Sequence, residues 1–172
     1  MSFFPRGPFS GSVSETDAWD DVSVGIRAGA LLSIAAAVAW LSGAPAVFPS
    51  LGPTAFVLST DRPGPSERVV VGGHAIGVVA GLLAYLVVST VVPVPTSPLA
   101  FDPPWLAVSG VAAVALTTTG MRLTDLVHPP ACATTLIVAL GLLEPIQALV
   151  VVLPAVVSLL AVDRPLSDRL CR

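Results

Sequence analysis

The run from residue 69 to 92 is the strongest constraint on this chain. It carries no charged side chain, and as an α-helix it is long enough to cross the ~30 Å hydrocarbon core of a bilayer. Shorter apolar runs cover residues 24–41, 105–119 and 146–162. With 54% apolar and 11% charged residues and a mean hydropathy of +0.88, one membrane domain accounts for nearly all of the 172 residues. Net charge is −3 and there is no lysine, so nothing points to nucleic acid as a partner. Cys132 lies in an apolar run and Cys171 in the polar end, so no disulfide is expected. Residues 1–23 are Gly/Ser/Pro-rich and then acidic, without the basic start and apolar core of a secretory signal. They read as a flexible N-terminal arm with Trp19 near the interface, and residues 163–172 as a polar C-terminal tail.

Prolines divide what remains. Pro45, Pro49 and Pro53, with Gly52, interrupt the stretch after the first run, and proline removes a backbone donor and disturbs a helix interior. The expectation is an extended break followed by a short helix started by Pro53. The same design recurs at Leu126-Val127-His128-Pro129-Pro130-Ala131, where a non-helical approach precedes a helix beginning at Ala131. Each half of the chain then holds two full spans and one broken or short helix. The predicted architecture is an all-α membrane protein of two inverted repeats with about six membrane-crossing elements. The membrane domain covers residues 24–162, with repeat one at 24–92 and repeat two at 104–162.

The arginines support that count. Six crossings with the N-terminus inside place Arg6, Arg62, Arg68, Arg122, Arg164, Arg169 and Arg172 on the inner side, with Arg27 snorkelling there from the first span. Four spans with two re-entrant loops form the rival arrangement, which would strand Arg62 and Arg68 outside. Both arrangements leave the two termini cytoplasmic, in the plasma membrane.

Several of these segments carry a resemblance. His128-Pro129-Pro130-Ala131, Arg68-Val69-Val70-Val71-Gly72-Gly73-His74 and Leu51-Gly52-Pro53-Thr54-Ala55 are similar, in order and spacing, to three blocks of the HPP family of small integral membrane proteins. The likeness extends from about residue 24 to 162. Glu67, Pro53 and Cys132 depart from the family's proline, alanine and glycine at the matching positions. The resemblance implies the membrane fold, and because some members of the family are associated with nitrite transport, it implies nitrite as the first candidate substrate.

The residues themselves suggest a small inorganic anion. Two short helices with their N-termini at the midplane, from Pro53 and Pro130, would offer unpaired N–H groups and positive partial charge. Gly52, Thr54, Ala131 and Thr134, with the hydroxyls of Ser50 and Thr135, would line the site. His128 either buttresses the break or carries a proton with the anion, since histidine changes charge near neutral pH. His74 reads either as a helix–helix hydrogen bond among glycines or as part of the pathway. Arg68 and Arg122 read as inner-face anchors or as a cationic vestibule, Asp125 as a partner for Arg122, and Thr117 to Thr119 as bonding back onto their own helix. No His-x-x-x-His or Cys-x-x-Cys spacing occurs, so neither an enzyme nor a metal or other cofactor is expected. A pore for a neutral solute such as water or ammonia, and a non-transporting membrane subunit, are the alternative functions. The bilayer is the expected environment, and the small Gly-rich helices point to a homo-oligomer.

Overall fold

The computed structural model describes residues 15–61, 63–91 and 104–170. Most of the expected arm (1–14), Arg62, the proline-rich loop at 92–103 and Cys171 lie outside the described residues. Those that are described form helices joined by turns: α1 (Glu15–Leu41), α2 (Val47–Thr60), α3 (Glu67–Val91), α4 (Pro104–Leu123), α5 (Ala131–Ala139), α6 (Pro145–Val150) and α7 (Val152–Leu170). Four stretches are long and apolar enough to cross a membrane: Asp21–Leu41, Glu67–Val91, Trp105–Leu123 and the α6–α7 stretch Pro145–Leu166.

Three boundaries differ from expectation. α1 starts at Glu15, so the acidic part of the arm is helical; carboxylates near a helix start complement its positive partial charge. α7 continues to Leu170, through Pro165 and into the expected tail. The third difference matters most. Residues 47–60 form one continuous helix with Pro53 inside it, instead of an extended break followed by a short helix. Pro49 falls in the first turn, where its missing N–H would have had no helical partner anyway. Pro53 forfeits one interior hydrogen bond, and its exposed ring points away from the packed side. At ~1.5 Å per residue α2 reaches ~21 Å, short of a full hydrocarbon crossing.

The turns reuse one device. Gly43 and Gly141 have φ of +64° and +69°, and Asp125 adopts φ 54°. After each, the next N–H reaches back to close the preceding helix: Ala44 to Ala39 O at 3.0 Å, Leu142 to Ile137 O at 2.9 Å, and Leu126 to Met121 O at 3.0 Å. This is a left-handed helix stop, and aspartate tolerates it because its short polar side chain is compatible with that geometry.

α2 folds back along α1, with Leu32 beside Gly52, while α3 packs against α4, α5 and α7, and α2 meets α5. Leu31, Leu51, Val70, Val138, Val156 and Leu159 are buried in the largest apolar cluster. Large apolar side chains also cover the outside, among them Ile26, Phe56, Val87, Val111 and Val157. A surface this apolar suits lipid rather than water.

Ion pairs tie the helices at one end of the bundle. Arg27 does not snorkel: it is 6% exposed, and its Nε and Nη2 donate to Asp163 Oδ1 at 3.0 and 2.5 Å, joining α1 to α7. Glu67 at the start of α3 pairs with Arg164 on α7. Leu126 against Gly72 brings the segment after α4 to the same end. Removing one partner of an enclosed ion pair leaves a charge without compensation, so Asp163→Ala is expected to cost about 3 kcal/mol. Thermal unfolding in detergent would show this as a lowered midpoint. The double change Arg27→Leu/Asp163→Leu is expected to recover most of the loss.

Candidate functional site

Polar residues that would be unremarkable in a soluble protein meet in the interior of this apolar one. Thr54 comes from α2, His74 from α3, Thr134 from α5, and His128 from the segment between α4 and α5. Each is 0–1% exposed. Thr54 Oγ1 lies 2.9 Å from His74 Nε2 and 3.3 Å from His128 Nε2. On the other side of its ring, His74 Nδ1 lies 2.8 Å from Thr134 Oγ1. The imidazole centroids are 5.4 Å apart with planes tilted by 56°, so the rings flank the threonine hydroxyl without stacking. The result is a linear chain, Thr134–His74–Thr54–His128.

Local sequence explains how four elements reach one point. On α3, Gly73, Gly77 and Gly81 recur every four residues and so share one helix face. A Cβ on Gly73 would sit 2.6 Å from His128 Cβ, one on Gly77 2.9 Å from Ala131 O, and one on Gly81 2.9 Å from Thr135 O. The glycine face therefore lets the backbone of residues 128–135 lie directly on α3, with His74 beside it. The left-handed Asp125 turns the chain out of α4, and Pro129 and Pro130 fix the backbone that follows. His128 is held between these two constraints.

Not every predicted site residue belongs to this cluster. His128, His74, Thr54 and Thr134 are joined by hydrogen bonds, and Pro130 and Ala131 are buried beside His128 in sequence. Pro129 is exposed. Gly52 faces Leu32 of α1, and Pro53 points outward. Arg68 and Arg122 are exposed, at the start of α3 and in the last turn of α4. Asp125 forms no ion pair with Arg122 among the described residues. The Ser50 hydroxyl is used locally, donating to Val47 O at 2.8 Å.

The expected anion site at two helix N-termini needs correction. Pro53 is not a helix start, and α2 begins at Val47. The first donors of both short helices are also engaged. Val47 and Phe48 N–H bond Ala44 and Pro45 carbonyls at 3.0 and 3.2 Å, and residue 49 is a proline. Ala131, Cys132 and Ala133 N–H donate to the carbonyls of His128, Pro129 and Pro130 at 3.0, 3.0 and 3.1 Å. Tight i→i+3 bonds of this kind satisfy the N–H groups that a helix start otherwise leaves free. The polar groups at the centre are thus side chains, not helix dipoles.

Sequence reading missed a second buried link. Thr117 on α4 lies 2.9 Å from Thr135 Oγ1 on α5, and Thr135 also donates to Ala131 O at 3.2 Å. Ser109 donates to Ala139 O at 3.0 Å, again joining α4 to α5. Only Thr119 of the Thr117–Thr119 cluster is seen bonding back onto its own helix, to Ala115 O. Thr117 and Thr135 both sit in apolar runs, and that position was the available signal. Among the described residues, no three of His, Cys, Asp or Glu gather closely enough to hold a metal ion.

The family description "HPP, transmembrane region" matches residues 16–163, most of the chain and every element of the cluster. The chain belongs to the HPP family. No curated protein and no solved structure matches it. With the family established and four apolar helices present, this HPP chain is an integral membrane protein.

Because the glycine face sets the separation of α3 and α5, Gly77→Val is expected to destabilise the fold by about 2 kcal/mol or more through overpacking. Gly29→Val, at a position with nothing within 4 Å of an added Cβ, is the control and is expected to cost far less. Thermal melts of the two variants in the same detergent would separate them.

Proposed function

We propose that this HPP chain is a transporter or channel for a small inorganic anion, nitrite first, with its pathway at the junction of α2, α3, α5 and segment 124–130. The observation that carries the reading is the enclosed His74–Thr54–His128–Thr134 cluster. Polar side chains are costly in an apolar interior, and in membrane proteins they are the usual markers of a substrate or ion path. Hydroxyls and imidazole N–H groups donate to an anion without the fixed positive charge that would trap it. All four groups are already paired with one another, and on this reading that arrangement is the closed state. An arriving anion would take over bonds that Thr54 and the histidines now make among themselves. Nitrite itself is carried over from the family resemblance.

The packing pattern fits two repeats related by a pseudo-two-fold axis, which this reading takes as inverted. Pairing α1 with α4, α2 with α5, and α3 with α6–α7 turns each helix contact into another that is also present: α1/α2 into α4/α5, α1/α7 into α4/α3, and α2/α7 into α5/α3. The contacts α2/α5 and α3/α7 map onto themselves and would lie on the symmetry axis. Thr54 on α2 and the His128–Thr134 stretch leading into α5 lie at the α2/α5 contact on that axis, the place where broken-repeat transporters bind their solutes. The gathering of Arg27, Arg68, Arg122 and Arg164 towards one end favours that end as cytoplasmic, with both termini there and the plasma membrane as location. A shallow apolar groove of about 400 Å³ between α3 and α4, lined by Ala75, Ile76, Val79, Ala80, Leu83 and Leu116, suits lipid chains or a second copy in a homo-oligomer.

One observation favours a second reading. The cluster contains no arginine, so a pore for water or ammonia would need no different lining. Uptake by proteoliposomes, comparing nitrite, nitrate, formate and chloride with water and ammonia flux, decides between the two. Saturable nitrite uptake above empty liposomes is the expected outcome. Water or ammonia flux without any anion movement would overturn the anion reading. His128→Ala is expected to slow nitrite uptake by about tenfold or more, equivalent to ~1.4 kcal/mol per decade, while inserting normally. Pro130→Leu is expected to reduce the folded yield as well.

A further inference from the structure

We infer that the chain Thr134–His74–Thr54–His128 is a proton relay that carries a proton from His128 to His74 through the Thr54 hydroxyl. This deepens the transport reading by naming the proton as co-substrate, and it is tested separately from the anion.

The inference rests on proton counting. Thr54 Oγ1 has one proton and lies between two imidazole Nε2 atoms, with no other hydrogen bond among the described residues. It donates to one ring and accepts from the other. Each neutral imidazole carries its single N–H on one nitrogen only. Two arrangements then satisfy every link. In the first, His128 Nε2–H donates to Thr54, Thr54 donates to His74 Nε2, and His74 Nδ1–H donates to Thr134. In the second, every bond is reversed: Thr134 donates to His74 Nδ1, His74 Nε2–H donates to Thr54, and Thr54 donates to His128 Nε2. A chain with two complete and opposite hydrogen-bond orders is what a relay needs.

The relay starts at His128. Among the described residues, no enclosed side-chain nitrogen or oxygen is left without a hydrogen-bond partner. His128 is bonded through Nε2, and its Nδ1 has no hydrogen-bond partner among the described residues. Nδ1 is therefore the ring nitrogen of His128 outside the hydrogen-bonded chain, and the relay takes its proton up there. A proton arriving there makes His128 an imidazolium. Its Nε2 proton passes to Thr54 Oγ1 as the Thr54 proton passes to His74 Nε2. His128 is left neutral with Nδ1–H, and His74 becomes the imidazolium. One proton enters, one positive charge moves inward, and the cycle closes when His74 gives up a proton on the far side, which leaves both rings neutral. The charge then stands at the centre of the cluster, where an anion would need it.

Among the described residues, no arginine or carboxylate bonds a member of the relay. From α1 and α7, Arg27 and Asp163 bond each other. Glu67 on α3 pairs with Arg164 on α7. Arg68 on α3, Arg122 on α4 and Asp125 beyond it are exposed. Tyr85 on α3 lies against Gly141, and Cys132 on α5 is half-buried. None of these groups bonds a member of the chain, and the rest of α2 that faces it is uncharged.

Thr54→Val keeps the side-chain shape and removes the hydroxyl that links the rings; Thr54→Ser restores it. Proteoliposomes containing a pH-sensitive dye are given an inward potential with potassium and valinomycin, with and without nitrite. Wild-type protein is expected to acidify the lumen faster than empty liposomes. Thr54→Val is expected to lose that proton flux by about tenfold or more, and Thr54→Ser to regain most of it. Nitrite uptake without accompanying protons, or proton flux undiminished in Thr54→Val, would overturn the relay and leave the anion reading standing. Failure of Thr54→Ser to recover flux while it folds normally would also overturn it. Proton flux that follows this variant pattern, with no anion moved, would support the relay and remove the anion reading.

Discussion

An apolar surroundings leaves a polar group nothing to bond except other parts of the protein, and the centre of this HPP chain is arranged around that requirement. Each of Thr54, His74, His128 and Thr134 would be costly to enclose alone. Together they satisfy one another across four separate parts of the chain. The same rule governs Thr117 with Thr135, Ser109 with the carbonyl of Ala139, and Arg27 with Asp163. These contacts also add direction to a core whose remaining contacts are nondirectional van der Waals packing. Helices in lipid gain little from hydrophobic burial against each other, so close packing and interhelical hydrogen bonds determine which surfaces meet.

Close approach is what makes the hydrogen bonds reachable. The face of α3 formed by Gly73, Gly77 and Gly81 has no side chains to hold α5 away, and the carbonyls and hydroxyls of residues 131–135 come to within van der Waals contact of it. His74 then spans a gap narrow enough to touch Thr134 with one ring nitrogen and Thr54 with the other. A wider separation would need water or a longer side chain at that point. Glycines on α3 and threonines on α2 and α5 are thus parts of one solution, although they lie far apart in the chain.

The proposed function relies on the neutrality of this centre at rest. Hydroxyls and neutral imidazoles can exchange hydrogen-bond partners and protons, whereas a buried arginine would hold a permanent charge there. Small polar groups that are paired when at rest can re-pair around a solute in transit. The cationic side chains are kept elsewhere, Arg68 and Arg122 exposed and Arg27 neutralised by Asp163.

The sequence by itself determined the membrane class, the four long apolar helices and the start of α5 at Ala131, because hydropathy and proline chemistry act locally. It also marked His128, His74, Thr54 and Thr134, since polar residues inside apolar runs stand out. It misjudged residues 47–60, where prolines at two positions argued for a break. Pro49 falls in the first turn and Pro53 faces outward, so a continuous helix loses a single hydrogen bond. Partnership was decided only by tertiary structure. That Thr54 lies between two histidines and that Arg27 finds Asp163 depend on how distant segments meet. Such contacts leave no periodic trace along the chain, because a hydrogen bond between helices constrains one residue on each and nothing in between.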